Sequence, residues 1–329
     1  MKIKCIPEDF IVEEIVNYQN LIAPKGNMAL FKITKKNINT LFAIQKIYNV
    51  LHLHKIKPKI NFWGLKDKYS LSTQFILIQH NQIQQIIEIL SKTNFKNMQV
   101  EFISFIKSKI SSDHIRGNKF RITIRDIDKR ELPEFIENLK KISKISVFLN
   151  YYDSQRISIV YYKPSFKNLQ ELKDFLDGFE YTVKRSKESY TKRFYFTTER
   201  EQNIKLAVDF NLQLCKKVIH LVEKLRINTR LRFYHKNNVM VVPILDEGFE
   251  KIIYEIRNRN YQGRTLTCSI DQFKYEISDD ELSSNRVKIV LEFVLGRGCF
   301  ATVLVKHLIP LKMYSHVGQK WETIQIFGN

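Results

Sequence analysis

Asp67 stands between Lys66 and Lys68 in the stretch NFWGLKDKYSLSTQ, residues 61 to 74. A lone carboxylate in such a place can act as a nucleophile or as a general base. Both roles require an ionised acid, and nearby cations favour the charged form. The plain alternative is an aspartate in an ordinary solvated turn, which is what most charge runs are.

Other chemistries lack their signatures. The chain has no G-x-x-x-x-G-K-[ST], no G-x-G-x-x-G opening a helix, no G-x-S-x-G and no H-E-x-x-H. The usual marks of ATP binding, dinucleotide binding, serine hydrolysis and zinc proteolysis are therefore absent. LGRGCF, residues 295 to 300, looks like a phosphate loop, but CFATVLV after it reads as a strand and not a helix. SDDEL at 278 to 282 has no partner acid at metal-binding spacing and reads as an exposed turn. PED at 7 to 9, with Glu13 and Glu14, does not complete a nuclease site. Cys5, Cys215, Cys268 and Cys299 lie far apart, so neither zinc nor a disulfide framework is expected. His52 and His54, two residues apart, are poor co-ligands.

The elements that must position Asp67 follow from periodicity. Residues 3–16 and 28–33 read as short strands. Asn39-Thr40 then starts a helix with Leu41, Ile44, Ile47, Tyr48 and Leu51 at helical spacing. Ile60 and Phe62 lead into the Asp67 loop, and Phe75, Leu77 and Gln79 leave it as a second strand. Long loops on a rigid scaffold are where chemistry tends to sit. In KFRITIRDI, Phe120, Ile122 and Ile124 alternate with Arg121, Thr123 and Arg125. After about residue 158 the texture changes to long amphipathic helices at 165–177 and 199–227. Leu206, Phe210, Leu214, Val218, Leu221 and Leu225 form one stripe of the second. Strand-like runs return at 231–244 and 287–306.

Lys and Arg total 54 against 34 Asp and Glu, a net charge of +20, which suits a polyanion binder. A Lys-rich or heat-adapted surface is the competing explanation. With 23 Phe and 15 Tyr the chain holds more aromatics than a core obviously needs, so some should face a ligand. No stretch approaches the ~20 apolar residues of a membrane-spanning helix. MKIKCIPEDF lacks the apolar region of a signal peptide, which leads to the expectation of a cytoplasmic, reducing location. Only 10 residues are glycine, and Gly64, Gly117, Gly296 and Gly298 fall in NFWGLKDKYS, HIRGNKF and LGRGCFAT, the stretches that hold the candidate chemistry.

Taken in order, PEDFIVEE (7–14), NINT (37–40), GLKDKYSLSTQ (64–74), GNKFRITIR (117–125), NYYDSQR (150–156) and LGRGCFATVLVKHLI resemble the TruD family of tRNA pseudouridine synthases. The sharpest element is G-x-K-D-K-x-x-x-[ST]-x-Q, and the Phe210-Asn211 pair also looks like the family's inserted domain. The resemblance implies an α+β protein. A pseudouridine synthase catalytic domain, a mixed sheet with flanking helices, would occupy 1–158 and 286–329, interrupted by an α/β TRUD-type insertion at 159–285. It implies isomerisation of uridine to pseudouridine in tRNA, at position 13 of the D-arm, with no cofactor and no metal. The alternative is a non-catalytic RNA-binding protein or RNA chaperone on the same fold. Asp67 would be catalytic, with Lys4 paired to it. Phe10, Asn118, Phe120 and Phe300 would bind the substrate, and Lys66, Lys68 and Arg116 are the expected phosphate contacts. A monomer with no membrane association and no obligate protein partner is implied. Departures from the family pattern fall at Leu149, Asp153, Ile157 and Ser158, at Cys299 where Ser is usual, and at Ser70 and Ser72 for Ala and Thr.

Overall fold

The computed structural model describes residues 1–152, 159–160, 168–180, 182–183, 197–234, 240–309 and 321–325. Two compact units form. The first contains Met1–Asp128 and Asp271–Gly298, and the second Lys129–Ile270 and Cys299–Asn329.

In the first unit the period-two runs become a mixed sheet. Its strands lie in the order Ile22–Ala23, Met98–Ile106, Met28–Lys36, Leu71–Gln79, Phe10–Val16, Ile115–Ile127, Val287–Gly296, and then the part of Thr267–Asp279 in this unit. Phe10–Val16 runs parallel to Leu71–Gln79 and antiparallel to Ile115–Ile127. Lys59–Phe62 pairs with the far end of Leu71–Gln79. Parallel neighbours need a crossover, and the segment from 17 to 70 supplies it.

The crossover helix, Thr40–Leu53, starts because Asn39 is extended and its side chain accepts from the Phe42 amide at 2.7 Å. Its Ala43, Ile44, Ile47 and Leu51 pack on Ala29, Phe31, Ile33, Ile76 and Ile78, and helix Ile83–Lys92 adds Ile83, Ile86 and Leu90. Each fully buried side chain of this size contributes roughly 1.5–3 kcal/mol. Leu41, expected in the stripe, is instead 37% exposed. Alternation sends Leu30 and Leu77 to the opposite face, with Val16, Leu21, Ile106 and Ile110.

In the second unit, helix Leu132–Ile145 buries Phe135, Leu139 and Ile142, and strand Val147–Leu149 pairs with Thr267–Ser269. Helix Thr197–Lys224 buries Phe210, Leu214, Val218 and Leu221 as expected, while Leu206 and Leu225 at the ends of the stripe are exposed. Met240–Pro243, Arg230–Tyr234 and Trp321–Gln325 form a small antiparallel sheet.

The structure departs from several expectations. Ala301–Leu308 is a helix, not a strand. Val303, Leu304, Val305 and Leu308 are all buried, and a run enclosed on every side carries no period to tell the two apart. The phosphate-loop reading of LGRGCF is still unsupported, because no Lys-Ser/Thr pair follows its second glycine. SDDEL does turn at the exposed Glu281 and Leu282, but Asp280 within it is 6% exposed and takes Arg125 Nη1 at 2.8 Å and the Asp126 amide at 2.8 Å. Cys268 and Cys299 form a disulfide, although 31 positions separate them. The divisions between the two compact units fall at 128/129, 270/271 and 298/299. Within the second unit, Asn138 Nδ2 donates to the Leu308 carbonyl at 3.1 Å, and Phe148 meets the His307 ring at 5.7 Å.

Candidate active site

Asp67 lies in the loop between strands Lys59–Phe62 and Leu71–Gln79. The loop opens at Gly64, whose φ of +70° is a left-handed value that glycine adopts readily. Its backbone is fixed from two sides. Thr40 Oγ1 accepts from the Lys66 amide at 2.9 Å and donates to Gln74 Oε1 at 2.8 Å, tying the loop to the start of the crossover helix. The Asp67 carbonyl accepts from Ser70 Oγ at 2.8 Å and from Lys35 Nζ at 3.2 Å. Ser70, a departure from the family pattern, thus adds a donor that alanine lacks.

The Asp67 carboxylate is 40% exposed and pairs through Oδ2 with Lys4 Nζ at 2.7 Å. Among the described residues Oδ1 accepts no hydrogen bond. Lys4 has φ +60°, a strained backbone for a side chain of this size. The following turn holds it there: the Cys5 and Ile6 amides donate to Asp9 Oδ2 at 3.0 and 3.1 Å, and Arg125 Nε donates to Asp9 Oδ1 at 2.7 Å. Lys4 Nζ also sits 4.1 Å from the Phe10 ring centroid.

Phe10 and Phe120 meet edge to face at 6.2 Å, and Phe120 stacks on Phe293 at 5.4 Å. They are 4% and 7% exposed, so they support Lys4 from within the core and leave little ring surface for a base. Asn118 Oδ1 accepts from Lys66 Nζ at 2.9 Å, which joins it to the Asp67 loop. Lys66 corrects an expectation. Its ammonium is buried against Glu14 Oε1 at 2.7 Å, with side chains 9% and 1% exposed, and is not free for phosphate. Lys68 and Arg116 are exposed and keep that role open.

Lys35 was not singled out from sequence, and Glu14 was weighed there only as part of an incomplete nuclease site. Glu14 Oε2 accepts from the Phe75 amide at 2.9 Å, where the edge of Leu71–Gln79 passes from one partner strand, Phe10–Val16, to the other, Lys59–Phe62. Lys35, 1% exposed, donates to the Ile38 carbonyl at 2.6 Å as well as to Asp67. Burial pushes its ammonium down to about 8, with Asp67 opposing and Lys66 adding to the shift. The signal was periodicity: Phe31, Ile33 and Lys35 share one strand face, as do Phe10, Val12, Glu14 and Val16.

Phe300 belongs to the second unit. There the Arg264 guanidinium lies 3.9 Å from the Tyr152 ring centroid, 5.1 Å from Phe210 and 5.3 Å from Phe300. Asn211 brackets Tyr152, accepting from its amide at 2.8 Å and donating to its carbonyl at 3.0 Å. Arg264 Nη2 reaches Asn150 Oδ1 at 2.6 Å. The NYY segment, the Phe210-Asn211 pair and Phe300 are therefore gathered by Arg264, which no sequence motif marks. Asp153, Ile157 and Ser158 lie outside the described residues. Among the described residues, no group of three or more His, Cys, Asp or Glu side chains is placed to hold a metal ion.

The model of the family described as tRNA pseudouridine synthase D (TruD) matches residues 1–159. A Methanocaldococcus jannaschii protein provisionally named tRNA pseudouridine synthase D 2 is 28% identical, over 93% of this chain and 91% of its own length. The tRNA pseudouridine synthase D of Leptospira interrogans is 33% identical over 47% of this chain and 36% of its own. A crystal structure from Methanosarcina mazei, provisionally named tRNA pseudouridine synthase D (TruD), aligns with a TM-score of 0.57 at 15% identity, covering 94% of this chain and 93% of that one. That likeness is one of fold. The family match covers the whole of the Asp67 loop and its Lys4 partner, and the M. jannaschii relative carries the similarity across both units: the chain is similar to tRNA pseudouridine synthases D (TruD) along nearly all of its length.

Proposed function

We propose that the protein is a tRNA pseudouridine synthase, an isomerase, that acts on position 13 of the D-arm and uses Asp67 as its catalytic residue. The observation that carries this reading is the Lys4–Asp67 pair at 2.7 Å on a loop whose backbone is clamped by Thr40, Ser70 and Lys35. The reaction is an internal transfer: the N1–C1′ bond of uridine breaks, uracil turns in the pocket, C5 bonds to C1′, and the proton lost from C5 is balanced by one taken up at N1. Attack on C1′ and deprotonation at C2′ both need an ionised carboxylate with one oxygen unengaged. Lys4 occupies Oδ2 and leaves Oδ1 for ribose. A uracil stacked within folded RNA must first be extruded, at a cost of a few kcal/mol. The same reading takes 159–285 as the family insertion, a monomer as the working form and the cytoplasm as its location.

The test is chemical mapping of pseudouridine with carbodiimide in unmodified tRNA transcripts, after incubation with wild type or Asp67→Asn, with EDTA present. Modification at position 13 by wild type alone is the expected result. Tight tRNA binding without any pseudouridine would replace the reading with the RNA-binding or chaperone alternative. Modification by both proteins would remove Asp67 from the chemistry.

A further inference from the structure

Among the described residues three aromatic side chains are exposed: Phe42 at 54%, Tyr69 at 63% and Tyr254 at 83%. Two of the three flank the Asp67 loop. Tyr69 is two residues from Asp67, and Phe42 is two residues from Thr40, whose hydroxyl accepts from the Lys66 amide. A lysine accompanies each ring, with Lys68 Nζ 5.3 Å from the Tyr69 centroid and Lys46 Nζ 5.4 Å from that of Phe42.

Neither ring is exposed because its backbone is loose. Tyr69 lies between Asp67 and Ser70, which are joined by the Ser70 Oγ bond to the Asp67 carbonyl. The Phe42 amide is bonded to Asn39 at the helix start, and the buried positions of that helix, Ala43, Ile44, Ile47 and Leu51, leave Phe42 and Lys46 on another face. Rings carried on a fixed backbone lose less freedom when a ligand covers them than rings on a mobile one. A cation beside an aromatic face is the pairing that takes a nucleotide, base on the ring and phosphate on the ammonium. The net charge of +20 matches a polyanionic occupant.

We infer that Phe42 with Lys46 and Tyr69 with Lys68 form two nucleotide-stacking contacts near the Asp67 loop, which hold unpaired nucleotides flanking the target uridine. The inference rests on the RNA-modifying reading above and adds which side chains grip the substrate. The phosphate role of Lys68 becomes half of a base-and-phosphate contact. Phe10 and Phe120, buried, do not provide it.

The test measures filter binding of an unmodified tRNA transcript to the full-length protein carrying Phe42→Ala, Tyr69→Ala or both, at constant salt. Stacking on one ring is worth roughly 5- to 150-fold in affinity, so the double variant should raise Kd at least tenfold. Phe42→Trp and Tyr69→Phe should retain wild-type affinity, and Phe42→Leu with Tyr69→Leu should not. Tyr254→Ala, which alters a still more exposed ring in the second unit, is the control and should bind normally. The inference is overturned if the double alanine variant binds as wild type does, if Tyr254→Ala loses as much, or if the leucine pair binds as well as the aromatic pair. Pseudouridine formation by wild type is followed on the same transcript. Its absence would count against the isomerase reading, while the ring variants would still decide whether this surface holds RNA.

Discussion

Lys4 and Lys35 meet the same aspartate from two ends, one at the carboxylate and one at the backbone carbonyl. Their consequences differ because one is close to solvent-exposed chemistry and the other is sealed. A hydrogen bond to a charged group contributes roughly 1.5–3 kcal/mol, so Lys4→Met should lower kcat for pseudouridine formation roughly 10- to 150-fold, with Lys4→Arg recovering part of the loss. An unchanged kcat would show that Lys4 is a structural cation only. For Lys35 the readout is stability against pH. The unfolded chain holds this proton up to its ordinary value of 10.5, whereas the folded chain releases it at about 8. Between those values the unfolded state binds more protons, so this group makes stability rise with pH, by up to about 3 kcal/mol in total. Urea unfolding of wild type and Lys35→Met across that window should give curves whose separation changes with pH in wild type's favour. Parallel curves would mean that the buried ammonium keeps its proton. Asp67 was legible from its motif, and Lys35 only as a cation on an inward strand position, where a sequence gives no reason to prefer a buried ammonium over an edge residue.

The Asp67 loop is shaped by the elements around it more than by its own residues. Glu14 shows this best: it extends from strand Phe10–Val16 to the Phe75 amide on one oxygen and to Lys66 on the other, closing the gap where Leu71–Gln79 changes partners. Breaking a buried ion pair by neutralising one member leaves the other charge uncompensated, typically at 3–5 kcal/mol. Glu14→Gln should therefore lower unfolding stability by roughly 3 kcal/mol, and Glu14→Gln with Lys66→Met should recover much of it. A double variant no more stable than the single one would show that the pair is not the source of the loss. Close approach of strands is just as local. A Cβ on Gly117 would stand 2.1 Å from the Leu295 carbonyl oxygen, so only glycine permits the pairing of Ile115–Ile127 with Val287–Gly296 beside Asn118. Strands and amphipathic helices of the first unit were legible because one face is buried and the other wet. The helix Ala301–Leu308 was not, since burial on all sides erases the period that separates helix from strand.

Across the whole chain, what sequence could not supply was long-range closure. The disulfide joins Cys268 and Cys299, both in the second unit, on either side of the segment Asp271–Gly298 that belongs to the first. No local motif announces such a pair. The compact units likewise depend on where helix Leu132–Ile145 finds its packing partners, and composition along the chain shifts only later, near 158. Charge, by contrast, needs no fold to be read, and it supports the largest-scale prediction. With a net charge of +20, binding of tRNA should release counterions in proportion to the phosphates neutralised. For about six contacts, affinity should fall roughly a thousandfold between 50 and 200 mM salt, with a linear dependence of log Kd on log salt. Lys68→Ala should reduce that slope by close to one contact, because its ammonium is exposed, whereas Lys66→Met should leave the slope unchanged, because its charge is already spent on Glu14. Equal slope changes for the two lysines would mean that the Lys66–Glu14 pair opens when RNA arrives. A flat salt response in the wild type would remove the polyanion from the account of this surface altogether.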